Sequence, residues 1–148
     1  MNVPGSKVDF YLLGAPDPRA RLTTACRLAE KAHDQGLRVA VRTSSPTETA
    51  ELDELMWTFS DRSFVPHEVA GSGAPGGAPV LLTTDVDPQG PADVLVNLAD
   101  DVPPWYARYA RVAELVGGGD ASRQAGRERF RFYREQGLEP ESHTLGAG

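Results

Sequence analysis

The sequence predicts a single α/β domain of three layers, in which helices cover both faces of a mostly parallel sheet of about five strands. Short apolar runs alternate along the chain with segments of helical periodicity. The 148 residues, 40% of them hydrophobic, suffice for one well-buried core and are few for two. We therefore expect one domain over 1–148, with a core over about 8–137 and a flexible tail over 138–148.

The amino-terminal part is predicted to form a strand, a helix and a second strand. Residues 8–13 are a short apolar run typical of a buried strand. Asp17 can cap a helix that has Pro18 at its first position, and Gly36 can end that helix in the left-handed conformation. Residues 37–41 then form the second strand. The helix turns one apolar face to the core, and that face consists of Leu22, Ala25, Cys26, Ala29 and Ala32.

A second helix is predicted to begin at a capping box formed by Ser45 and Glu48. One of its faces is apolar and consists of Leu52, Leu55, Met56 and Phe59. Trp57 is turned off that face, and Phe64 lies beyond the end of the helix. Large aromatic residues are mostly buried, so these two either cap the core or form a binding surface, and their spacing leaves both interpretations open.

The carboxyl-terminal half continues the alternation. Residues 71–77 are rich in glycine and predict a loop, whereas 79–83 and 94–98 predict strands. The short connection between these strands is marginal for a parallel crossover, which leaves an antiparallel strand open. Residues 112–116 predict a further strand, after which Asp120 is expected to cap the last helix. This order of elements is typical of a Rossmann-like domain.

Composition narrows the function classes. The net charge of −6 argues against a surface that embraces nucleic acid as a whole, although a local basic patch is compatible with it. The only cysteine, Cys26, excludes an internal disulfide framework. Neither a membrane-spanning segment nor a signal peptide is visible in the sequence. We expect a soluble cytoplasmic protein.

No catalytic, cofactor or metal site is predicted. The first strand-to-helix turn, 14–18, lacks both the spaced glycines of a dinucleotide fingerprint and the lysine of a phosphate-binding loop. Three histidines, at positions 33, 67 and 143, are far apart in sequence and form no ligand spacing. Cys26 lies on an inward helix face, where it is a poor nucleophile. Asp100 and Asp101 point apart and are typical of a solvated turn.

The last helix has two distinct faces on a helical wheel. One face consists of Arg123, Arg127, Phe130, Arg131 and Arg134. The opposite face can pack on the sheet through Ala125, Phe132 and Tyr133, with the stem of Arg129 extending outward to solvent. A positive stripe around an aromatic residue suits an acidic partner that ends in an apolar or aromatic group, while simple solvation of the stripe stays open.

Several short motifs along the chain together resemble one protein family. They are Phe10–Leu13, Leu52–Trp57, Ser63–His67, Ala70–Gly71, Gly76–Val80 and Arg127–Arg134. Their order and spacing resemble the chi subunit of bacterial DNA polymerase III from about residue 8 to about residue 137. The resemblance implies an accessory subunit of the clamp-loader assembly, within a DNA-directed DNA polymerase complex, that binds the single-stranded-DNA-binding protein and, where present, a subunit called psi.

The resemblance also implies site residues. Chi subunits bind the acidic carboxyl-terminal tail of the single-stranded-DNA-binding protein, which ends in phenylalanine, through basic and aromatic residues of the last helix. Arg127, Phe130 and Arg131 match those positions, although the family usually has tyrosine or tryptophan in place of Phe130. For psi or another clamp-loader component, the matching residues are Trp57 and Phe64. DNA would then be contacted indirectly. The alternatives are a small nucleotide-binding or nucleotidyl enzyme and a direct binder of single-stranded nucleic acid.

Overall fold

The computed structural model describes residues 6–14, 17–59, 65–70, 78–88 and 93–145. Within them the chain forms one seven-stranded sheet in the order β3-β4-β2-β5-β6-β1-β7. The strands are β1 (Lys7–Leu12), β2 (Val39–Arg42), β3 (His67–Val69), β4 (Val80–Thr83), β5 (Val94–Asn97), β6 (Arg111–Val116) and β7 (Glu141–Thr144). The helices are α1 (Pro18–Asp34), α2 (Pro46–Met56) and α3 (Asp120–Glu135), and a 3-10 turn spans Tyr106–Arg108. The α/β class is confirmed.

The sheet differs from the prediction in two respects. All six strand pairings within the described ranges are parallel, so neither β4 nor β5 runs antiparallel. The sheet also has seven strands instead of about five, because β3 and β7 form its two edges. The tail predicted over 138–148 is wrong where the structure describes it: β7 pairs in parallel with β1 through its backbone, although its four side chains are exposed. Residues 146–148 lie outside the described ranges.

Local capping explains where the helices begin. The Asp17 side chain accepts a hydrogen bond from the Arg19 amide at 3.0 Å, and Ser45 Oγ accepts one from the Glu48 amide at 3.1 Å. The Glu48 carboxylate accepts from the amide of Ser44, at 2.9 Å, so the box closes one residue earlier than predicted. The predicted Asp120 cap is wrong, because α3 is capped by Gly119 without a side-chain hydrogen bond.

Two apolar clusters lie on opposite faces of the sheet and make the domain three-layered. One packs α1 and α2 on the sheet and includes the predicted inward face of α1. The other packs the 3-10 turn and α3 on the opposite face, through Tyr106 and Tyr133. Burial on both faces explains why the central strands are continuous apolar runs. No helix among the described residues has the length and apolarity to cross a membrane.

Candidate partner-binding sites

A groove of about 440 Å³ lies between α3 and the strand pair β1–β7. It is called the α3 groove below and is lined by Phe10, Leu12, Leu13, Gly14, Val116, Gly117, Arg123, Gly126, Arg127, Phe130, Ser142 and Thr144. The half-buried Phe130 ring packs on the buried Phe10 ring, with 5.2 Å between their centroids, and forms part of an apolar floor. The exposed side chains of Arg123 and Arg127 supply its positive charge, and none of the described lining residues is acidic. Such a groove suits an anionic ligand that carries an apolar group.

A buried polar network fixes α3 on the sheet. The fully buried carboxylate of Glu114, on β6, accepts hydrogen bonds from Arg129 Nε at 2.9 Å and from the Tyr133 hydroxyl at 2.5 Å. The side-chain amide of Asn97 donates to the same carboxylate at 3.0 and 3.1 Å. Burial raises the pKa of Glu114, and the adjacent Arg129 opposes that shift. The network sets the rotation of α3 and therefore turns Arg123, Arg127 and Phe130 toward the groove.

Close approach of α3 to β6 depends on Gly126. A Cβ atom built at Gly126 would lie only 2.9 Å from Cγ2 of Val116. A real side chain there would push the helix off the strand. Both residues line the α3 groove, so this contact determines how deep the groove is.

The wheel grouped Arg123, Arg127 and Phe130 as the structure does and predicted the burial of Tyr133, but it misplaced other residues of α3. Arg123, Arg127 and Phe130 come together at the groove, whereas Arg131 and Arg134 are exposed outside its lining. Two corrections concern the opposite face of α3, and one observation concerns Phe130 on the arginine face. Arg129 is 4% exposed and pairs with Glu114 instead of extending to solvent. Phe132 is 36% exposed and lies at the margin of the core, where its ring stands edge-on to those of Tyr106 and Tyr133. Phe130 is half-buried in the groove, so this part of the stripe is not simply solvated.

The second candidate surface lies at the end of α2. Trp57 is 61% exposed, and its ring stands edge-on to the His67 imidazole at 5.1 Å. The imidazole Nδ1 atom lies 2.8 Å from the carbonyl of Val65, and its Nε2 atom lies 3.1 Å from a carboxylate oxygen of Asp53. A held imidazole therefore supports the exposed indole from one side. Phe64, predicted to belong to this surface, lies outside the described residues.

The two surfaces lie at opposite edges of the sheet. Trp57 contacts His67 on β3, whereas Ser142 and Thr144 of β7 line the α3 groove. Six inter-strand spacings of about 4.8 Å separate β3 from β7, or roughly 29 Å. One macromolecule can therefore bind at each edge without excluding the other.

Comparison with known proteins assigns the family. The model of a family described as "DNA polymerase III chi subunit, HolC" matches residues 6–141. The chain belongs to the chi subunit family of DNA polymerase III. Chi subunits from three bacteria are similar to it. That of Pseudomonas aeruginosa is 44% identical over 95% of this chain and 97% of its own length. The chi subunit of Escherichia coli is 31% identical over 76% of this chain and 78% of its own length. The chi subunit of Haemophilus influenzae is 26% identical over 93% of this chain and 96% of its own length.

The fold of this chi-family chain also resembles a solved structure of a different protein. The structure titled "Mss116p DEAD-box helicase domain 2 bound to an RNA duplex" superposes with a TM-score of 0.59. The match covers 94% of this chain and 65% of that one at 9% identity. Identity this low shows the shared α/β fold and nothing about function.

Sequence reasoning missed part of the groove in this chi-family chain. Ser142 and Thr144 belong to the segment that was predicted to be a flexible tail. Leu12 and Val116 were predicted only as strand residues. The alternation of Ser142 and Thr144 around His143 has the period of a strand and could have revealed β7, but a segment of exposed polar side chains carries little hydrophobic signal.

Proposed function

We propose that this chi-family chain is a non-catalytic adaptor, which links the clamp-loader assembly of DNA polymerase III to the single-stranded-DNA-binding protein. The α3 groove would hold the acidic carboxyl-terminal tail of that protein, so DNA is reached only through the partner. The observation that carries the proposal is the combination of an apolar floor with two arginines in a groove whose described lining residues include no acidic side chain. This combination matches a peptide that has acidic residues and a terminal phenylalanine.

Each part of the groove has a role in this proposal. The terminal phenylalanine ring packs on Phe130, which is itself held by Phe10. Arg127 and Arg123 pair with the peptide carboxylates, and arginine suits this role because its planar guanidinium can donate two parallel hydrogen bonds. Arg131 and Arg134, exposed beside the groove, attract the acidic residues that precede the end of the tail.

The opposite edge of the sheet would bind psi or another clamp-loader component. Trp57 is the described residue that supports this assignment, because a tryptophan that is 61% exposed can contribute apolar contact area to a protein interface. Phe64 is the second residue assigned to this surface. The separation of about 29 Å between the edge strands allows the adaptor to bind both partners at once.

Charge reversal at matched positions on α3 tests the groove. In a fluorescence-anisotropy titration with a labelled acidic peptide ending in phenylalanine, Arg127→Glu should weaken binding by roughly tenfold or more, because repulsion replaces pairing. Arg134→Glu changes the net charge equally but lies outside the lining residues, so we expect a smaller loss. Equal losses in the two variants would show that the peptide follows the overall positive charge of α3 and does not use the groove.

A pull-down from cell extract tests the adaptor role itself. The wild-type chain should retain both the single-stranded-DNA-binding protein and clamp-loader subunits. Arg127→Glu should lose the first and keep the second, and Trp57→Ala should do the reverse. Retention of neither by the wild-type chain would contradict the proposal.

A further inference from the structure

Three potential metal ligands meet where β1 pairs with β7. Asp9, Glu141 and His143 each offer one ligand atom, and the three atoms all lie within 4.8 Å of one another. His143 Nε2 lies 2.8 Å from Asp9 Oδ1. The cluster is separate from the α3 groove, which is lined by Ser142 and Thr144, the alternate residues of β7. The geometry points to a binding site for a divalent transition-metal ion such as Zn²⁺ at this edge of the sheet.

The strand register holds the ligands in place. Asp9 pairs with Glu141 and Tyr11 pairs with His143, so all four side chains project from the same face of the strand pair. The His143 ring stacks on the Tyr11 ring, with centroids 5.3 Å apart and planes 25° from parallel. This stacking directs the Nε2 atom toward Asp9. The ligand cage is therefore part of the sheet and does not depend on a loop.

The distances fit one ion. Zinc binds histidine nitrogen and carboxylate oxygen at about 2.0–2.2 Å, so two ligands of a tetrahedral zinc lie roughly 3.3 Å apart. The observed separations, from 2.8 Å up to the 4.8 Å limit, bracket that value, and the exposed Glu141 side chain can adjust. One nitrogen and two oxygens select a transition metal over Mg²⁺ or Ca²⁺, which prefer oxygen ligands alone. The remaining coordination position would be taken by water.

Electrostatics gives a separate reason for a cation. Asp9 and Glu141 are carboxylates directly opposite each other on paired strands, and like charges in that arrangement destabilise the pairing. A metal ion between them would remove the repulsion and join β7 to β1. Lys7 and Arg111 lie on the same face of the sheet, so we expect weaker binding than at a buried structural zinc site.

Calorimetric titration of the chelator-treated full chain with Zn²⁺ up to about 1 mM tests the site. We expect one saturable site that Mg²⁺ at the same concentration does not occupy. Binding should be lost in His143→Ala and weakened at least tenfold in Glu141→Gln, which keeps the size of the side chain. The matched control is His33→Ala, which removes a histidine from α1 and should bind like the wild type.

A second readout distinguishes metal binding from a simple Asp9–His143 ion pair. If the site binds zinc, Zn²⁺ should raise the melting temperature of the wild type and of His33→Ala, and should raise that of Glu141→Gln clearly less. Absence of saturable binding by the wild type would overturn the inference, because the cluster would then be an ion pair alone. Undiminished binding in both His143→Ala and Glu141→Gln would also overturn it, by placing the ion elsewhere.

Discussion

Removal of the Arg129 guanidinium should be among the most destabilising single substitutions in this protein. The Glu114 carboxylate is fully buried in the wild type, and Arg129→Ala removes its cationic partner. Breaking a buried ion pair from one side costs about 3–5 kcal/mol, which is a large part of the 5–15 kcal/mol typical of a folded domain. Arg134→Ala is the matched control, since the exposed Arg134 lies on the same helix and should change stability by no more than about 0.5 kcal/mol.

The loss of folding stability in Arg129→Ala should also depend on pH. Burial already raises the pKa of Glu114, and Arg129 opposes the shift, so Arg129→Ala should raise this pKa further. A carboxyl group with a raised folded-state pKa binds its proton more tightly in the folded than in the unfolded chain. The stability that this tighter proton binding provides is therefore lost as the pH rises from the unfolded-state pKa, about 4.3, through the folded-state pKa.

Urea unfolding of both variants at pH 5 and pH 8 measures these quantities. The Arg129→Ala penalty should be largest at pH 8 and should shrink toward pH 5, where Glu114 is more readily protonated in the folded variant. A penalty no larger than that of Arg134→Ala, or one equal at the two pH values, would refute the view that a buried charged Glu114 depends on Arg129.

Three further predictions concern Gly126, Trp57 and Cys26. Gly126→Ala should destabilise the fold by about 1–3 kcal/mol and weaken tail binding, since its Cβ would lie 2.9 Å from Val116. The control is Gly119→Ala, which has open space around its Cβ and should cost less than about 1 kcal/mol by urea unfolding. Trp57→Ala should leave the melting temperature nearly unchanged, because the residue is 61% exposed, and should abolish capture of clamp-loader subunits. A large fall in melting temperature would assign Trp57 to the core. Burial raises the pKa of the Cys26 thiol to about 12, so a thiol reagent at pH 8 should label it only after unfolding, and rapid labelling of the native chain would contradict that.

The sequence predicted the centre of the fold better than its edges. Central strands such as β2 and β5 are buried on both faces and therefore appear as uninterrupted apolar runs. The edge strands β3 and β7 were missed because their side chains are half-buried or exposed. Their formation depends on backbone pairing with β4 and β1, which leaves no hydrophobic period in the sequence.

The part of the candidate site that lies on one helix could be predicted from helical spacing. Arg123, Arg127 and Phe130 share one face of α3 at any rotation of the helix, so the wheel brought them together. The partner of Arg129 could not be predicted, because an arginine in a charged helix looks solvent-exposed until tertiary packing places Glu114 beneath it. The same limit applies to His143 and Asp9, which are 134 residues apart and meet only through strand pairing.

Binding of two tail peptides that differ by one residue tests the central claim most directly. The first is an acidic peptide ending in phenylalanine, and the second lacks only that residue. Titrated against the wild-type chain at physiological ionic strength, where charges are screened over about 8 Å, the full peptide should bind and the truncated peptide should lose most of its affinity. The reason is that burial of the peptide ring against Phe130, which packs on Phe10, would persist in salt, whereas ion pairs between the peptide and Arg127 would weaken. Equal affinities would show that the α3 groove is a nonspecific basic patch and would contradict the adaptor mechanism.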